Sequence, residues 1–360
     1  MSTATSSTPD TTSASAPKKR RGCLWQGGRI LLILFVLLLA LAAGGAVYES
    51  VARSRDLAQV SPPGQLVDVG GYKLHIHCLG ERQISQPTVI LEAGSGGWSM
   101  HWYDFHRQAA RFVRTCAYDR AGFGWSEAGP QPREGDLIAR ELHTLLAGAG
   151  EAPPYLLVGA SRGGQYVRIY RDVYPEEVVG LVLVDGEPED FSAQAALARQ
   201  AAAQNVSIFS LVGGLSRIGL FRIWGGDPAS APEVPCIPFL VKDLPAAEHG
   251  PYLAVEGQPA CFDALLGEER ATVQREARLR QAAPLGDLPL VVLSHGLPTA
   301  TSGTASAAQA AEAEEVWQSL QQKQATLSTR GRLVQAAQSG HNIALDQPEL
   351  VLDAIRQIIE

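Results

Sequence analysis

The sequence has no excess of basic residues. Its 360 residues include 30 Lys and Arg against 37 Asp and Glu, so the formal net charge is −7. A surface that binds nucleic acid needs clustered Lys and Arg to neutralise phosphates, so this balance argues against a nucleic-acid partner. The one dense basic cluster is Lys18-Lys19-Arg20-Arg21, and it lies beside an apolar run, which indicates a membrane role.

Cysteine is scarce, and the patterns of common cofactor sites are missing. The five cysteines form no CxxC pair and no Cys and His spacing that is typical of zinc. Neither of the phosphate-binding patterns GxGxxG and GK[ST] occurs. We therefore expect neither a metal nor an organic cofactor.

One long apolar run is present near the amino terminus. Residues 30–47 include no charged or strongly polar side chain. About 18 residues at roughly 1.5 Å each span about 27 Å, close to the thickness of a bilayer core. The preceding tail, residues 1–29, begins with a stretch rich in Ser, Thr, Ala and Pro that cannot bury enough apolar surface to fold. We predict a disordered tail followed by a transmembrane helix.

The charges around the apolar run predict its orientation. Five basic residues precede it, and only Arg53 and Arg55 follow it closely. The positive-inside rule then places the tail in the cytoplasm and the rest of the chain outside, as a single-pass membrane protein. A cleavage-like site around Gly44-Gly45-Ala46 leaves open that the run is a signal and that the protein is secreted after cleavage.

After the apolar run, residues 48–64 are interpreted as a linker and residues 65–360 as one domain. Short β-type runs alternate there with helical patterns, which is typical of an α/β fold with a mostly parallel sheet and helices on both faces. The predicted strands are 65–69, 73–78, 88–91, 113–118, 155–158, 180–184, 288–293 and 333–337. The alternation stops at about residues 187–286, a stretch too long for a loop, and we predict a helical lid inserted after the sixth strand.

The pentapeptide Gly159-Ala160-Ser161-Arg162-Gly163 matches GxSxG. Alone the match is weak, but strand 155–158 is predicted to run into it and a helical pattern follows. Such a tight turn pushes the hydroxyl out at the carboxyl edge of the sheet, where the helix amino terminus favours developing negative charge. We predict that Ser161 is a nucleophile.

A serine nucleophile requires a base and donors for the oxyanion. Ser339-Gly340-His341 follows the last predicted strand, and we predict that His341 is the base. His295, after the seventh predicted strand, is the competing candidate. The Gly-rich stretch EAGSGGW, residues 92–98, follows the third strand, and we expect an oxyanion hole made by the backbone N–H groups of Ser95 and Arg162, with Gly96 as a substitute.

Residues 65–360 resemble the α/β-hydrolase superfamily. The stretch YDRAGFGWS, residues 118–126, is similar to the D-x-R-G-x-G-x-S stretch after the fourth strand of that family, and Ser161 and His341 follow in its order. The resemblance implies an eight-stranded α/β-hydrolase sheet. It also implies hydrolysis of a small or lipid-like ester through an acyl-enzyme. An amide is the second candidate substrate. Asp119 and Arg120 are expected to be structural.

The sequence departs from the family pattern at the acid that orients the base. The family usually places this acid after the seventh strand, yet no Asp occurs between Asp287 and Asp346. Some members take it from the end of the sixth strand, a position that Asp185 occupies, so we predict Asp185. Glu187 is an alternative, as are three carboxylates farther along the chain: Glu312, Glu314 and Glu315.

The resemblance leaves two other points open. The same residues suit an acyltransferase or perhydrolase, and an inactive membrane-tethered binding module is the alternative from another class. Strands two and four are sheet neighbours in this family, so Cys78 and Cys116 are either a disulfide or two free thiols. Cys236 and Cys261, both in the predicted lid, are a second candidate pair.

Overall fold

The computed structural model describes residue 3 and residues 21–220, 222, 236, 244–298 and 306–360. Most of the predicted tail, with Lys18, Lys19 and Arg20, lies outside the described residues. So does part of the predicted lid.

The centre of the fold is an eight-stranded sheet with the strand order β1-β2-β4-β3-β5-β6-β7-β8. The strands are β1 (Gln65–Asp68), β2 (Lys73–Leu79), β3 (Thr88–Glu92), β4 (Thr115–Tyr118), β5 (Tyr155–Ala160), β6 (Val178–Val184), β7 (Leu290–His295) and β8 (Gly331–Ala336). Strand β2 is antiparallel to both β1 and β4, and the other pairs are parallel. Each strand lies within two residues of its prediction, so the predicted mostly parallel sheet is confirmed.

Helices cover both faces of the sheet. The helices outside the stretch between β6 and β7 are α1 (Arg21–Gln59), α2 (Tyr103–Ala109), α3 (Gly135–Gly148), α4 (Gly163–Val173), α10 (Ala307–Ala325), α11 (Ile343–Asp346) and α12 (Pro348–Ile359). Buried side chains of α3 and α4 pack in one core cluster, and those of α2 and α12 pack in another. Parallel strands need cover on both faces because they are apolar on both, and β3 and β5 are buried almost throughout.

The chain between β6 and β7, here called the insertion, is helical where it is described. Its helices are α5 (Phe191–Gln194), α6 (Ala196–Arg217), α7 (Ala246–Val255), α8 (Pro259–Arg270) and α9 (Thr272–Arg280). Aromatic side chains of the insertion, Tyr252 and Phe262, share a third core cluster with Trp98 and Phe123 of the main domain. The insertion therefore packs on the sheet domain through a core of its own.

Both candidate cysteine pairs are disulfides. Cys78 and Cys116 are bonded and lie opposite each other on β2 and β4. Cys236 and Cys261 are bonded within the insertion. A disulfide lowers the conformational entropy of the unfolded chain, so both bonds are expected to stabilise the fold.

Helix α1 is longer than the predicted transmembrane span. Among the described residues, Trp25–Gln59 is the one helix long and apolar enough to cross a membrane. Residues 48–59, which the sequence analysis assigns to a linker, are helical because they find partners on the insertion. Arg53 donates to the carbonyls of Ala254 and Gly257, and Glu49 forms an ion pair with Arg222.

Candidate active site

Ser161 lies on the tight turn between β5 and α4. Its φ is +51°, a left-handed conformation that residues other than glycine seldom adopt. The turn is fixed by hydrogen bonds from Ser161 N–H to the Val184 carbonyl (3.1 Å) and from Glu187 N–H to the Ser161 carbonyl (2.8 Å). The strained backbone holds Ser161 at the carboxyl edge of the sheet, as the sequence pattern predicts.

Two glycines let the loop after β3 approach this turn. A Cβ at Gly163 would lie 2.5 Å from the Glu92 carbonyl oxygen, and one at Gly94 would lie 3.1 Å from the Ser161 Cβ. Any larger residue at Gly163 would collide with backbone. The Gly-rich stretch thus packs directly beside Ser161.

Asp185 follows the last residue of β6 and is completely buried. Its Oδ2 accepts hydrogen bonds from His341 Nδ1 (2.6 Å) and His295 Nδ1 (2.7 Å). Its Oδ1 accepts from Trp317 Nε1 (3.0 Å) and from the backbone N–H of His295 (3.2 Å). Burial alone would raise the pKa of Asp185, but the hydrogen bonds from the two histidines outweigh it and lower this pKa to about 2.

His341 lies between β8 and α11, with about a third of its side chain exposed. Because Nδ1 is bonded to Asp185, Nε2 is the ring nitrogen left for the substrate side. Within the described structure, no hydrogen bond of 3.5 Å or less joins His341 to the Ser161 hydroxyl. This contact is often long in enzymes without substrate and shortens when one binds.

A cavity of about 330 Å³ lies at this edge of the sheet, and both Ser161 and His341 line it. The stretch from Ala93 to Gly97 forms one wall. Apolar side chains supply much of the remaining lining, among them Trp102, Ile343 and Leu345. A cavity of this kind suits an uncharged, largely apolar group.

The two residues that are predicted to supply the oxyanion donors are joined through their side chains. Among described residues, the backbone N–H groups of Ser95 and Arg162 have no hydrogen-bond acceptor. Arg162 Nη1 donates to Ser95 Oγ at 3.0 Å, and its guanidinium also pairs with Glu187 (3.3 Å) and with Glu269 of α8 (2.8 Å). The Arg162 side chain thus ties the Gly-rich loop to the insertion.

The alternative acids lie elsewhere. Glu187 pairs with Arg162, Glu314 contacts His295 Nε2, and Glu312 and Glu315 are exposed. The competing base, His295, is buried and bonded to Asp185 rather than lining the cavity. The sequence pattern does not predict the contacts of His295 and Trp317 with Asp185. Its one relevant feature is that His295 follows the seventh predicted strand.

Asp119 and Arg120 support the loops around the site. Asp119 is buried and accepts hydrogen bonds from the backbone N–H groups of Ser99 (2.7 Å) and Trp125 (2.9 Å). Arg120 donates to the Gly94 carbonyl at 2.8 Å and pairs with two buried carboxylates, one of them in the insertion. These contacts agree with the expected structural role.

Asp185, His295 and His341 are the described residues nearest to a metal-ligand arrangement at the site. Their donor atoms lie within 4.8 Å of one another. Both Nδ1 atoms, however, face the same carboxylate oxygen at hydrogen-bond distance. That is the geometry of imidazole N–H groups that share an acceptor, and a metal would have to displace both protons.

A profile described as the alpha/beta hydrolase family matches residues 74–354. The uncharacterized protein YqjL of Bacillus subtilis is 27% identical over 282 residues, which cover 78% of this chain and 87% of that protein. The probable transporter efuK of Hormonema carpetanum is 33% identical over 129 residues, which are 34% of this chain and 18% of that protein. A thermophilic esterase from Thermogutta terrifontis superimposes with a TM-score of 0.57 at 18% identity and covers 82% of this chain and 99% of its own.

Proposed function

Because the chain belongs to the alpha/beta hydrolase family, we propose that it is a serine hydrolase that cleaves carboxylic esters through an acyl-enzyme. One observation carries the proposal: His341 donates to Asp185 at 2.6 Å beside a cavity that Ser161 and His341 both line. Nucleophile, base and acid thus come from the ends of β5, β8 and β6 at one edge of the sheet. This is the grouping that activates a serine hydroxyl.

In the proposed mechanism, Ser161 Oγ attacks the ester carbonyl while His341 Nε2 accepts the hydroxyl proton. The Asp185 carboxylate holds the ring so that Nε2 faces the cavity, and it stabilises the imidazolium that forms. His341 then gives the proton to the departing alcohol oxygen, which leaves an acyl group on Ser161. Water activated by His341 repeats the sequence and releases the carboxylic acid.

The negative charge on the carbonyl oxygen needs fixed donors. The backbone N–H groups of Ser95 and Arg162 supply them in this proposal, since neither has an acceptor among described residues. The Arg162 side chain holds the Ser95 hydroxyl at 3.0 Å, which limits movement of the loop. Loss of one oxyanion donor typically costs about 100- to 1000-fold in kcat.

The cavity supports an ester with a short or medium apolar acyl group. Its volume of about 330 Å³ lies at the lower end of small-molecule sites. The charged side chains near it, such as Arg162 and Asp185, are paired with other protein groups. A neutral, small or lipid-like ester is therefore the proposed substrate class, and an amide is the second candidate.

We also propose that α1 anchors the protein in a membrane, with its amino terminus in the cytoplasm and the hydrolase domain on the other side. The cleavage-like site lies inside a continuous helix, and a Cβ at Gly45 would lie only 2.3 Å from the Ile218 carbonyl oxygen. This close packing of α1 on the insertion favours an uncleaved anchor over a removed signal.

A fluorophosphonate probe tests the proposed nucleophile in the full-length chain. We expect the wild type to be labelled and Ser161→Ala to lose both labelling and hydrolysis of p-nitrophenyl esters, with unchanged thermal unfolding. Ser207→Ala, an exposed serine in α6, is the matched control and should label normally. An unlabelled wild type, or an S161A variant with wild-type esterase activity, would refute the proposal. Esters graded in acyl length then define the substrate.

A further inference from the structure

We infer that His295 and Glu314 form a fixed charged pair that sets the electrostatic potential on the Asp185–His341 pair and so tunes the pH range of the base. This inference rests on the proposed function and deepens it. His295 and Glu314 act here as positioning residues, since neither lines the cavity.

The geometry requires a doubly protonated His295 ring. Its Nδ1 lies 2.7 Å from Asp185 Oδ2, and its Nε2 lies 3.0 and 3.1 Å from the two carboxylate oxygens of Glu314. Carboxylate oxygens only accept hydrogen bonds, whereas a neutral imidazole has a single N–H to donate. A neutral ring would therefore turn a nitrogen lone pair toward one of the two carboxylates. Both contacts are satisfied together only by the imidazolium form.

The surroundings of the ring favour the charged form too. Burial would lower the pKa of His295, but Asp185 and then Glu314 outweigh it and raise this pKa to about 9. His295 has only 2% of its side chain exposed, so solvent screens these contacts little.

Among the described residues, the titratable and charged groups that face His295 come from three elements. Asp185 faces it from the end of β6, Glu314 from α10, and His341 shares the Asp185 oxygen from the segment after β8. Two neutral side chains of α10 also contact His295. Trp317 packs against the His295 ring with centroids 6.1 Å apart, and Gln318 donates to both the His295 carbonyl (3.0 Å) and Glu314 Oε1 (2.8 Å).

The net charge beside His341 depends on both His295 and Glu314. With His295 protonated, Glu314 (−1), His295 (+1) and Asp185 (−1) sum to −1, the charge of a lone acid. Without the Glu314 charge the sum is 0, and the His341 imidazolium is stabilised less. With an uncharged residue at position 295 the sum is −2, and the imidazolium is stabilised more.

The two single variants should therefore shift the pH range in which the base works in opposite directions. In full-length protein, the acid limb of kcat/KM against pH should move to lower pH in Glu314→Gln and to higher pH in His295→Gln, each by on the order of one pH unit. The double variant H295Q/E314Q restores a sum of −1 and should return near the wild-type limb. Glu315→Gln removes an exposed carboxylate from the same helix and should leave the profile unchanged.

Ring ¹⁵N NMR of histidine-labelled full-length protein in micelles gives a readout that needs no turnover. The chain has eight histidines, and the His295 signals are those lost in H295Q. We expect the His295 ring to stay doubly protonated up to pH 8, and the His341 titration to show the same opposite shifts in the two variants. A His295 ring that is neutral at pH 8, or single variants that shift in the same direction or not at all, would overturn the inference. Failure of Ser161 to react with fluorophosphonate would instead refute the proposed function, and the ring titrations would still decide this inference.

Discussion

Ser161 and Asp185 share a local feature, because each follows directly after a parallel strand with a left-handed backbone. Their φ values are +51° and +46°. The N–H group of each donates across to the next strand, Ser161 to the Val184 carbonyl and Asp185 to the Leu293 carbonyl at 2.8 Å. Such strain costs on the order of 1–3 kcal/mol and persists only where its surroundings hold it. Both residues end up at one edge of the sheet with their side chains at the candidate site.

Replacement of the acid is the sharpest residue-scale test of the site. Asp185→Asn should lower kcat by roughly three to four orders of magnitude, because the amide no longer fixes the His341 ring or stabilises its charge. The melting temperature should fall as well, by roughly 5 °C, since a buried carboxylate with four hydrogen bonds is lost. Ester hydrolysis and thermal unfolding of the purified variant measure the two effects.

The matched comparison for D185N is the simultaneous change of Glu312, Glu314 and Glu315 to Gln. It should lower kcat by no more than about tenfold, through Glu314 alone. A triple variant less active than D185N would mean that α10 supplies the acid, which would contradict the assignment of Asp185.

The sequence pattern and the family resemblance predict some of these residues but not others. GxSxG between a strand and a helix points to Ser161, and the resemblance points to Asp185, because no Asp follows the seventh strand and some members take the acid from the sixth. Trp317 and Glu314 give no such signal. Trp317 reaches Asp185 from 132 residues away, by way of a helix whose docking depends on the whole packed domain.

At the scale of elements, the strands are predictable from the sequence, whereas the residue at which α1 ends is not. The buried parallel strands are short apolar runs bounded by turn residues, which leave a clear pattern. Helix α1 continues beyond its apolar run because of partners distant in sequence: Glu49 pairs with Arg222, and Leu57 packs near the core cluster of Trp98. The sequence around residues 48–59 is polar and gives no sign of these contacts.

These contacts predict different outcomes for two truncations. Removal of residues 1–47 deletes the apolar run and the Gly45 contact with the insertion but keeps the insertion contacts of Glu49 and Arg53, and it should give a soluble, active domain. Removal of residues 1–64 also deletes the contacts of Glu49, Arg53 and Leu57, and it should lower the melting temperature by roughly a further 5 °C.

Calorimetry and ester hydrolysis of the two soluble proteins measure this difference. Equal melting temperatures would show that residues 48–64 are only a linker. An insoluble protein after removal of residues 1–47 would contradict the separation of anchor and domain.

For the whole molecule, the distribution of charge and cysteine bears on the compartment of the domain. Five basic residues precede the apolar run and only Arg53 and Arg55 follow it closely, which favours a cytoplasmic amino terminus. Both disulfides lie after the run, and disulfides persist mainly in oxidising compartments. Two independent features thus favour the same orientation.

Protease digestion of intact cells, followed by analysis of the peptides, tests both that orientation and the disulfides. In intact cells that express the full-length chain, protease added outside should digest the hydrolase domain. A non-reduced digest of the same protein should contain the Cys78–Cys116 and Cys236–Cys261 peptide pairs, because the proposed orientation places the domain in a compartment where disulfides persist. Cys23 is the internal control, since it precedes the apolar run and should react with a membrane-impermeant thiol reagent only after the cells are permeabilised. Complete protection of the domain together with four free thiols would reverse the topology and leave the proposed chemistry of Ser161 to be tested in the cytoplasm.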